Sequence, residues 1–355
     1  MDIRELFAVT ISRNASDLHL VVNHVPTLRI HGELHALITF PQISSADIEQ
    51  MVYSLLNPAQ KELLIANREL DFSSVFETDD KREYRFRGNA YYQRDSLAAE
   101  FRLIPSRVAT VEELHLPQIL HEFVKMRQGF ILLTGASGQG KSTTLASIIA
   151  EINVSRMCHI VTIEDPIEYV YAKGKSIISQ REMYQDTHSW AGALKNVLRE
   201  DPDIVYVGEM RDYDTISSAL TIAETGHLVF STLHTNSTSQ TIDRIIDSFP
   251  PGVQSQVRLQ LSMVLSGVVS QRLVPSTSGG RVPVCEILLG TAGVKNTIRE
   301  GKTHLIDNII QTSAETGMML FEENLRQMVE QNIISHDVAL EYALRPDRYL
   351  QLMEH

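Results

Sequence analysis

The sequence predicts an α/β protein in two parts. A small N-terminal α+β domain precedes a larger domain of alternating strands and helices, which ends in a mainly helical segment. Three observations carry this. From Arg127 onward, apolar runs at 130–134, 159–163, 204–207 and 228–233 alternate with stretches of helical spacing, the pattern of a mostly parallel sheet flanked by helices. The first run leads directly into Gly135-Ala136-Ser137-Gly138-Gln139-Gly140-Lys141-Ser142-Thr143 and then into an Ala/Ile/Leu-rich helix. The first hundred residues are punctuated differently, with short alternating strands separated by turn residues. A chain of 355 residues is long enough for two domains, each with its own core.

In chain order, Ser16-Asp17-Leu18-His19-Leu20 and Thr27-Leu28-Arg29-Ile30-His31 read as strands around Pro26. The first reads as an edge strand with Leu18 and Leu20 inward. Ser44 and Ser45 introduce a helix over 46–56, and Asn57-Pro58 caps and starts another to about Ala66. Strands follow near 70–76, 83–93 and 98–104, with a hairpin turn at Asp79-Asp80-Lys81. Residues 1–104 form the first domain. Pro105-Ser106 begins a linker over 105–115, and 116–355 form the second domain. Within it, Ser276-Thr277-Ser278-Gly279-Gly280 is a turn before a strand over 282–289, and helices dominate from about Val294.

The segment Gly135 to Thr143 is a phosphate-binding loop. Its glycines let successive backbone N–H groups turn inward around a polyphosphate, and Lys141 and the positive end of the following helix neutralise charge. The binding residues are Ser137, Gly138, Gln139, Gly140, Lys141, Ser142 and Thr143, with Ser142 placed to hold magnesium. A dinucleotide fold is disfavoured, because Thr143 stands where the third glycine of Gly-x-Gly-x-x-Gly belongs.

The other runs also end in chemically loaded residues: Glu164-Asp165-Pro166, Gly208-Glu209 and His234-Thr235. In an open parallel sheet, ligands sit outside the carboxyl ends of the strands, so these groups converge on one nucleotide. Terminal-phosphate hydrolysis needs a metal, fixed positive charge and a group to orient or deprotonate water. Glu164, Asp165 and Glu209 are the available carboxylates. The alternative is that they cap the next helices, which is strongest for Asp165 before Pro166. His227 and His234 lie at opposite ends of one strand, so a shared zinc is excluded without a bend. His234 can sense a terminal phosphate, whereas His227 serves equally well as a hydrogen-bonded structural residue. Arg85 and Arg87 point to one face of their strand and Arg102 lies on the next, either as phosphate ligands or as a solvated sheet face.

A net charge of −12 argues against nucleic acid as the default partner. The two cysteines, Cys158 and Cys285, adjoin separate apolar runs and read as reduced thiols of a cytoplasmic protein. Met1-Asp2-Ile3-Arg4-Glu5 lacks the pattern of a secretory signal. The longest apolar stretch, Leu261 to Val269, falls short of the roughly 18 residues needed to span a bilayer. Direct membrane insertion is therefore not expected.

Several of these motifs together resemble one family. Thr162-Ile163-Glu164-Asp165-Pro166-Ile167-Glu168 resembles the aspartate box of secretion ATPases. The stretch from Arg199-Glu200-Asp201-Pro202-Asp203 to Val207-Gly208-Glu209-Met210-Arg211-Asp212 resembles their atypical Walker B. Thr225-Gly226-His227-Leu228-Val229-Phe230 with Thr232-Leu233-His234-Thr235 resembles their histidine box, and Ala15-Ser16-Asp17-Leu18-His19-Leu20 extends the match towards the N-terminus. The chain resembles most the PilT family of type IV pilus retraction ATPases.

The resemblance implies a hexameric ring of chains with an N-terminal PAS-like domain and a C-terminal RecA-like P-loop NTPase domain, binding ATP and magnesium between domains. It implies Glu164 as general base, Glu209 near the magnesium, and Arg87 and Arg102 as phosphate-contacting arginines. His227 and His234 would couple nucleotide state to subunit contacts. The expected partners are further copies of the chain, a PilC-type inner-membrane platform protein and a second retraction ATPase, at the cytoplasmic face of the inner membrane. Retraction is favoured because the tetracysteine zinc site and long leader of extension and type II secretion ATPases are missing.

Two segments depart from the family pattern. The loop has Ala136, Ser137 and Gln139 where Gly-Pro-Thr-Gly-Ser-Gly-Lys-Ser-Thr is usual. The retraction-associated Ala-Ile-Arg-Asn-Leu-Ile-Arg-Glu appears as Gly293-Val294-Lys295-Asn296-Thr297-Ile298-Arg299-Glu300. Lys295 cannot reproduce a bidentate arginine contact. Three other readings compete with a retraction motor: an assembly or secretion ATPase, a non-hydrolysing nucleotide-binding scaffold for a partner motor, and a nucleic-acid translocase, the last disfavoured by charge.

Overall fold

The computed structural model describes residues 1–30, 32–78, 81–104 and 107–354. Its contacts divide the chain into two compact units, one of residues 1–107 with 168–170 and one of 108–167 with 171–355. His31, Asp79, Asp80, Pro105 and Ser106, on which the end of the second strand, the hairpin turn and the linker start were placed, lie outside the described residues.

The first unit opens with a helix, α1 (Ile3–Ser12), that the alternating reading of this region leaves out; Asp2 caps it by accepting from the Arg4 N–H at 2.9 Å. Strands β1 (Asp17–Leu20), β2 (Thr27–Ile30) and β3 (Glu33–Ala36) follow. Helix α2 (Ser45–Leu55) starts with a capping box between Ser44 and Asp47, and α3 (Pro58–Asn67) with one between Asn57 and Gln60. The long strands β4 (Glu69–Glu77), β5 (Glu83–Gln93) and β6 (Ser96–Ile104) complete an antiparallel sheet of order β3-β2-β1-β6-β5-β4. Here β1 is a central strand, not an edge. Its far side is taken by β6, which returns to pair Asp17 with Arg102 and Leu18 with Phe101.

Period-two alternation along β5 sends Phe86, Gly88 and Ala90 inward. Phe7 of α1 stacks on Phe86 with ring centroids 4.0 Å apart and meets Phe101 edge-on at 5.1 Å. Gly88 is required beneath them, since a Cβ there would lie 2.7 Å from the Phe72 ring.

The second unit is a seven-stranded sheet covered on both faces. In order come α4 (Leu120–Lys125), β7 (Gly129–Thr134), α5 (Lys141–Ser155), β8 (His159–Glu164), β9 (Ile177–Glu182), α6 (Trp190–Val197) and β10 (Ile204–Val207). Then follow α7 (Tyr213–Glu224), β11 (Leu228–Leu233), α8 (Thr238–Asp247), α9 (Gln254–Val264), β12 (Leu265–Pro275) and β13 (Arg281–Leu289). Helices α10 (Ala292–Arg299), α11 (Ile306–Thr312), α12 (Phe321–Glu330), α13 (His336–Tyr342) and α14 (Pro346–Met353) end the chain. The strand order is β13-β12-β7-β11-β10-β8-β9, parallel except where β13 turns back along β12.

Alternate residues of the buried strands face different helices. Phe130, Leu132, Val205 and Val229 share a core with Leu194, Ile216 and Ile242, whereas Ile131, Leu133, Ile204 and Phe230 pack with Leu145, Ile149 and Ile152 of α5. Burial on both faces makes these strands read as continuous apolar runs. Two strands escaped that signal. Strand β9 is only partly buried, and β12 emerges from the apolar stretch whose first half is the end of α9.

At the C-terminal end, one cation answers three acids. Arg345 lies 3.0 Å from Glu322 Oε2 and 3.8 Å from Glu286 Oε2, and it also pairs with Asp307. Glu286 and Glu322 are fully buried, and burial pushes the Glu286 carboxyl above its usual range.

A smaller electrostatic clip joins α4 to α5. His121 Nδ1 is 2.8 Å from Glu151 and Nε2 is 2.9 Å from Glu112, and the bond to Glu151 raises the imidazole's pKa above 6.5. The protonated form is the one the fold stabilises. Its contribution is complete below the unfolded value of 6.5 and is lost as pH rises through the higher folded value. The melting-temperature gap between the wild type and His121→Ala should therefore be widest near pH 6 and close towards alkaline pH; a pH-independent gap would contradict this. For the aromatic core, Phe7→Ala should cost about 3–5 kcal/mol in urea unfolding. A loss below about 1 kcal/mol would show that α1 is not part of that core.

Candidate active site

The phosphate loop is shaped by its glycines. Gly135, Gly138 and Gly140 take φ of 143°, 75° and 78°, in the region other residues avoid. Gly135 is additionally forced by crowding, because a Cβ would lie 2.3 Å from the carbonyl oxygen of Gln271. Helix α5 begins at Lys141 with Gly140 as its N-cap and no side-chain cap. That leaves a helix N-terminus suited to an anion. Lys141 is buried and donates from Nζ to the carbonyls of Gly135 at 2.7 Å and Ala136 at 2.9 Å, so its charge lies over the loop.

Strands β7, β11, β10 and β8 are parallel neighbours, so the polar ends named from the sequence share one edge of the sheet. Glu164, at the end of β8, is 5% exposed. It accepts from Thr162 Oγ1 at 2.6 Å and from Gln180 Nε2 at 3.3 Å, which leaves the carboxylate oriented and largely dry. Glu209 follows β10. Its backbone is tied to β11 because Thr232 Oγ1 donates to the Gly208 carbonyl at 2.7 Å. Its carboxylate pairs with Arg211 and lies 3.4 Å from His234 Nε2, bringing the ends of β10 and β11 into one cluster. The hydrogen bond to Glu209 raises the already high Arg211 pKa. Neither acid caps a helix. Asp212 caps α7, accepting from the Thr215 N–H at 2.9 Å. After Asp165 and its cis bond to Pro166 the chain runs on without a helix to β9, so Asp165 caps none either.

His227 sits at the other end of β11 from His234. Its Nδ1 is 3.1 Å from the carbonyl of Ile222 and 3.0 Å from Thr225 Oγ1, where it closes the end of α7. In the first unit, Arg87 and Arg102 are direct cross-strand partners. Arg102 Nε donates to Asp17 Oδ1 at 2.8 Å, and Asp17 is almost fully buried, so this guanidinium is held in place. The Arg87 side chain makes no hydrogen bond or ion pair among the described residues, its backbone being paired with β4 and β6. Arg85 donates from Nη2 to Ser73 at 2.9 Å.

Sequence reasoning missed Arg211 and Gln271. The signal for Arg211 is its place two residues after Glu209; for Gln271 it is a lone amide inside the apolar run of β12. Among the described residues no cluster of three or more His, Cys, Asp or Glu could hold a metal. Magnesium fits such a site nevertheless, since it takes one or two hard protein oxygens and completes its shell with phosphate and water. The Ser142 hydroxyl and the Glu209 carboxylate are donors of that kind. No helix of the described residues is long and apolar enough to cross a membrane, and both cysteines are free.

A phosphate loop at the carboxyl edge of a parallel sheet, with glutamates at the ends of neighbouring strands, defines a P-loop NTPase of RecA-like architecture, here joined to a PAS-like N-terminal domain. Residues 106–337 match the family model described as type II/IV secretion system protein. The chain is 42% identical to the type IV pilus retraction ATPase PilT of Pseudomonas aeruginosa, covering 98% of this chain and 100% of that one. It is 45% identical to a twitching motility protein of Neisseria gonorrhoeae, over 88% of this chain and 83% of that one. The crystal structure of the pilus retraction motor PilT with bound ADP superposes with a TM-score of 0.90 at 42% identity, covering 98% of each chain. The chain belongs to the type II/IV secretion system protein family and, within it, to the PilT family. It is an ATPase.

Proposed function

We propose that the chain is the ATP-driven motor of type IV pilus retraction, working as a homohexamer in the cytoplasm against a PilC-type platform protein in the inner membrane. The observation that carries this reading is the joint presence of a full phosphate loop and two strand-end glutamates in a chain similar over its whole length to a retraction ATPase. Ser137 to Thr143 hold the phosphates, with Lys141 supplying charge. Ser142 and Glu209 would hold magnesium, which would supply positive charge to the terminal phosphates. Glu164 is the general base: the hydrogen bonds from Thr162 and Gln180 aim its carboxylate, and burial spares it competition from bulk water.

His234 reports the state of the site through Glu209. His227, at the far end of the same strand, carries that state to a neighbouring subunit. Arg102, steadied by Asp17, and its cross-strand partner Arg87 complete the phosphate contacts in the assembled ring. A second retraction ATPase is a further partner.

One departure from the retraction-associated pattern keeps the opposite direction of work, assembly or secretion, as the second reading. In α10 the Lys295 ammonium donates to the Met263 carbonyl at 3.0 Å, and Thr297 is buried where the retraction-associated pattern has an apolar residue. That segment therefore makes a point contact where arginine makes a planar one. Deleting the gene in its host decides between the two. Excess surface fibres mean retraction, and loss of fibres means assembly.

In the purified protein, Lys141→Ala should abolish ADP and ATP binding without unfolding the chain. Glu164→Gln should bind nucleotide normally while kcat falls about 10²–10⁴-fold. Normal turnover in either variant would remove these roles. Wild-type protein that binds ATP but releases no phosphate, even with its platform present, would instead make the chain a scaffold. Stimulation of turnover by DNA or RNA would revive the translocase reading.

A further inference from the structure

We propose that Gln271 of β12 is a positioning residue for the phosphate loop, and that Gln139 is its counterpart on the loop. Strand β12 runs beside β7 but outlasts it: their pairing ends at Ser270 opposite Thr134, where β7 gives way to the loop. Gln271 is therefore the first residue of β12 to face the loop instead of a strand. It is 1% exposed and lies two residues beyond Val269, which packs in the core formed with α5.

Both ends of the buried amide are used. Oε1 accepts from Thr144 Oγ1 in the first turn of α5 at 2.8 Å, and Nε2 donates to the main-chain carbonyl of Gln139 at 2.7 Å. Gln139 answers with its side chain, whose Oε1 accepts the main-chain N–H of Leu273 at 2.6 Å. The loop is thus stitched to β12 as though it were one more rung of the sheet. Gly140 packs directly on this stitch, with an added Cβ falling 3.0 Å from Gln271 Nε2.

The consequence follows from peptide geometry. In a planar trans peptide the C=O and the following N–H point opposite ways. Holding the Gln139 carbonyl against β12 turns the Gly140 N–H away from it, which frees that donor for a phosphate. The brace also fixes Thr144, so loop and helix are oriented by one side chain. A serine at position 139, as in the usual family pattern, offers Leu273 no side-chain carbonyl; the reciprocal half of the stitch belongs to this chain's own sequence.

The inference rests on the nucleotide reading of the loop, and the test separates the two. Affinity for ADP, KM and kcat for ATP, and melting temperature are measured for the wild type, Gln271→Glu, Gln139→Ser and Gln139→Ala. Gln271→Glu keeps the acceptor for Thr144 but cannot donate to the Gln139 carbonyl. It should weaken ADP binding ~10-fold, the scale of one lost hydrogen bond with its partner left buried. KM should rise in step while kcat stays within about twofold, the pattern of lost ground-state binding. Both Gln139 variants should lose about threefold in ADP affinity with unchanged melting temperature, since the main-chain carbonyl remains.

A folded Gln271→Glu protein with wild-type ADP affinity overturns the proposal. If Gln271→Glu does not fold, the Gln139 variants decide, and wild-type affinity in both overturns it. Wild-type protein that binds no ADP removes the nucleotide reading, and the proposal with it.

Discussion

The parallel registration of β7, β11, β10 and β8 is the constraint on which the rest of the structure depends. Parallel strands need crossovers, and the crossovers place helices on both faces. The strands are buried in consequence, and all their carboxyl ends emerge on one edge. Four segments far apart in sequence, ending at Thr134, Glu164, Val207 and Leu233, thereby acquire a common boundary. Hydrogen bonds from Ser231 Oγ to the Val207 carbonyl at 2.8 Å and from Thr232 to Gly208 fix that boundary beyond the regular ladder. Glu164, Glu209 and His234 inherit their placement from the sheet, because each lies at the end of its strand or within two residues beyond it.

Most of this edge was legible in the sequence. The phosphate loop has a fixed spacing, and each buried strand is a mostly apolar run with a polar residue at its end or within two residues of it. What was not legible has physical reasons. Strand β9 is only partly buried and carries no such run, so nothing in its pattern announces a strand. Strand β12 is merged with the end of α9 into one apolar stretch, and hydrophobicity alone cannot tell a buried strand from a buried helix. The central place of β1 depends on a return by β6 from more than eighty residues away, which no local pattern encodes. The same is true of Gln271, whose role appears only when two strands end at different heights.

The acids at the strand ends show how environment separates similar groups. Glu164 is enclosed, with hydrogen bonds from a hydroxyl and an amide. Glu209 is more open and shares its oxygens between a guanidinium and an imidazole. Asp212, only three residues on, is spent on capping α7, and its hydrogen bonds to Thr215 lower its pKa. Neighbouring carboxylates along one short stretch thus meet different partners, Glu209 a guanidinium and an imidazole and Asp212 the open end of a helix.

The cluster around Arg345 bears on how this sequence can change over time. A single guanidinium balances Glu286 of β13, Asp307 of α11 and Glu322 of α12. Removing the cation would strand several carboxylates in the interior, whereas removing one acid alone shifts a balance the others share. Neutral drift at any of the four positions is therefore tethered to drift at the rest. The C-terminal helices and the last strand must diversify together, as one inherited block, even where the surfaces around them are free to vary.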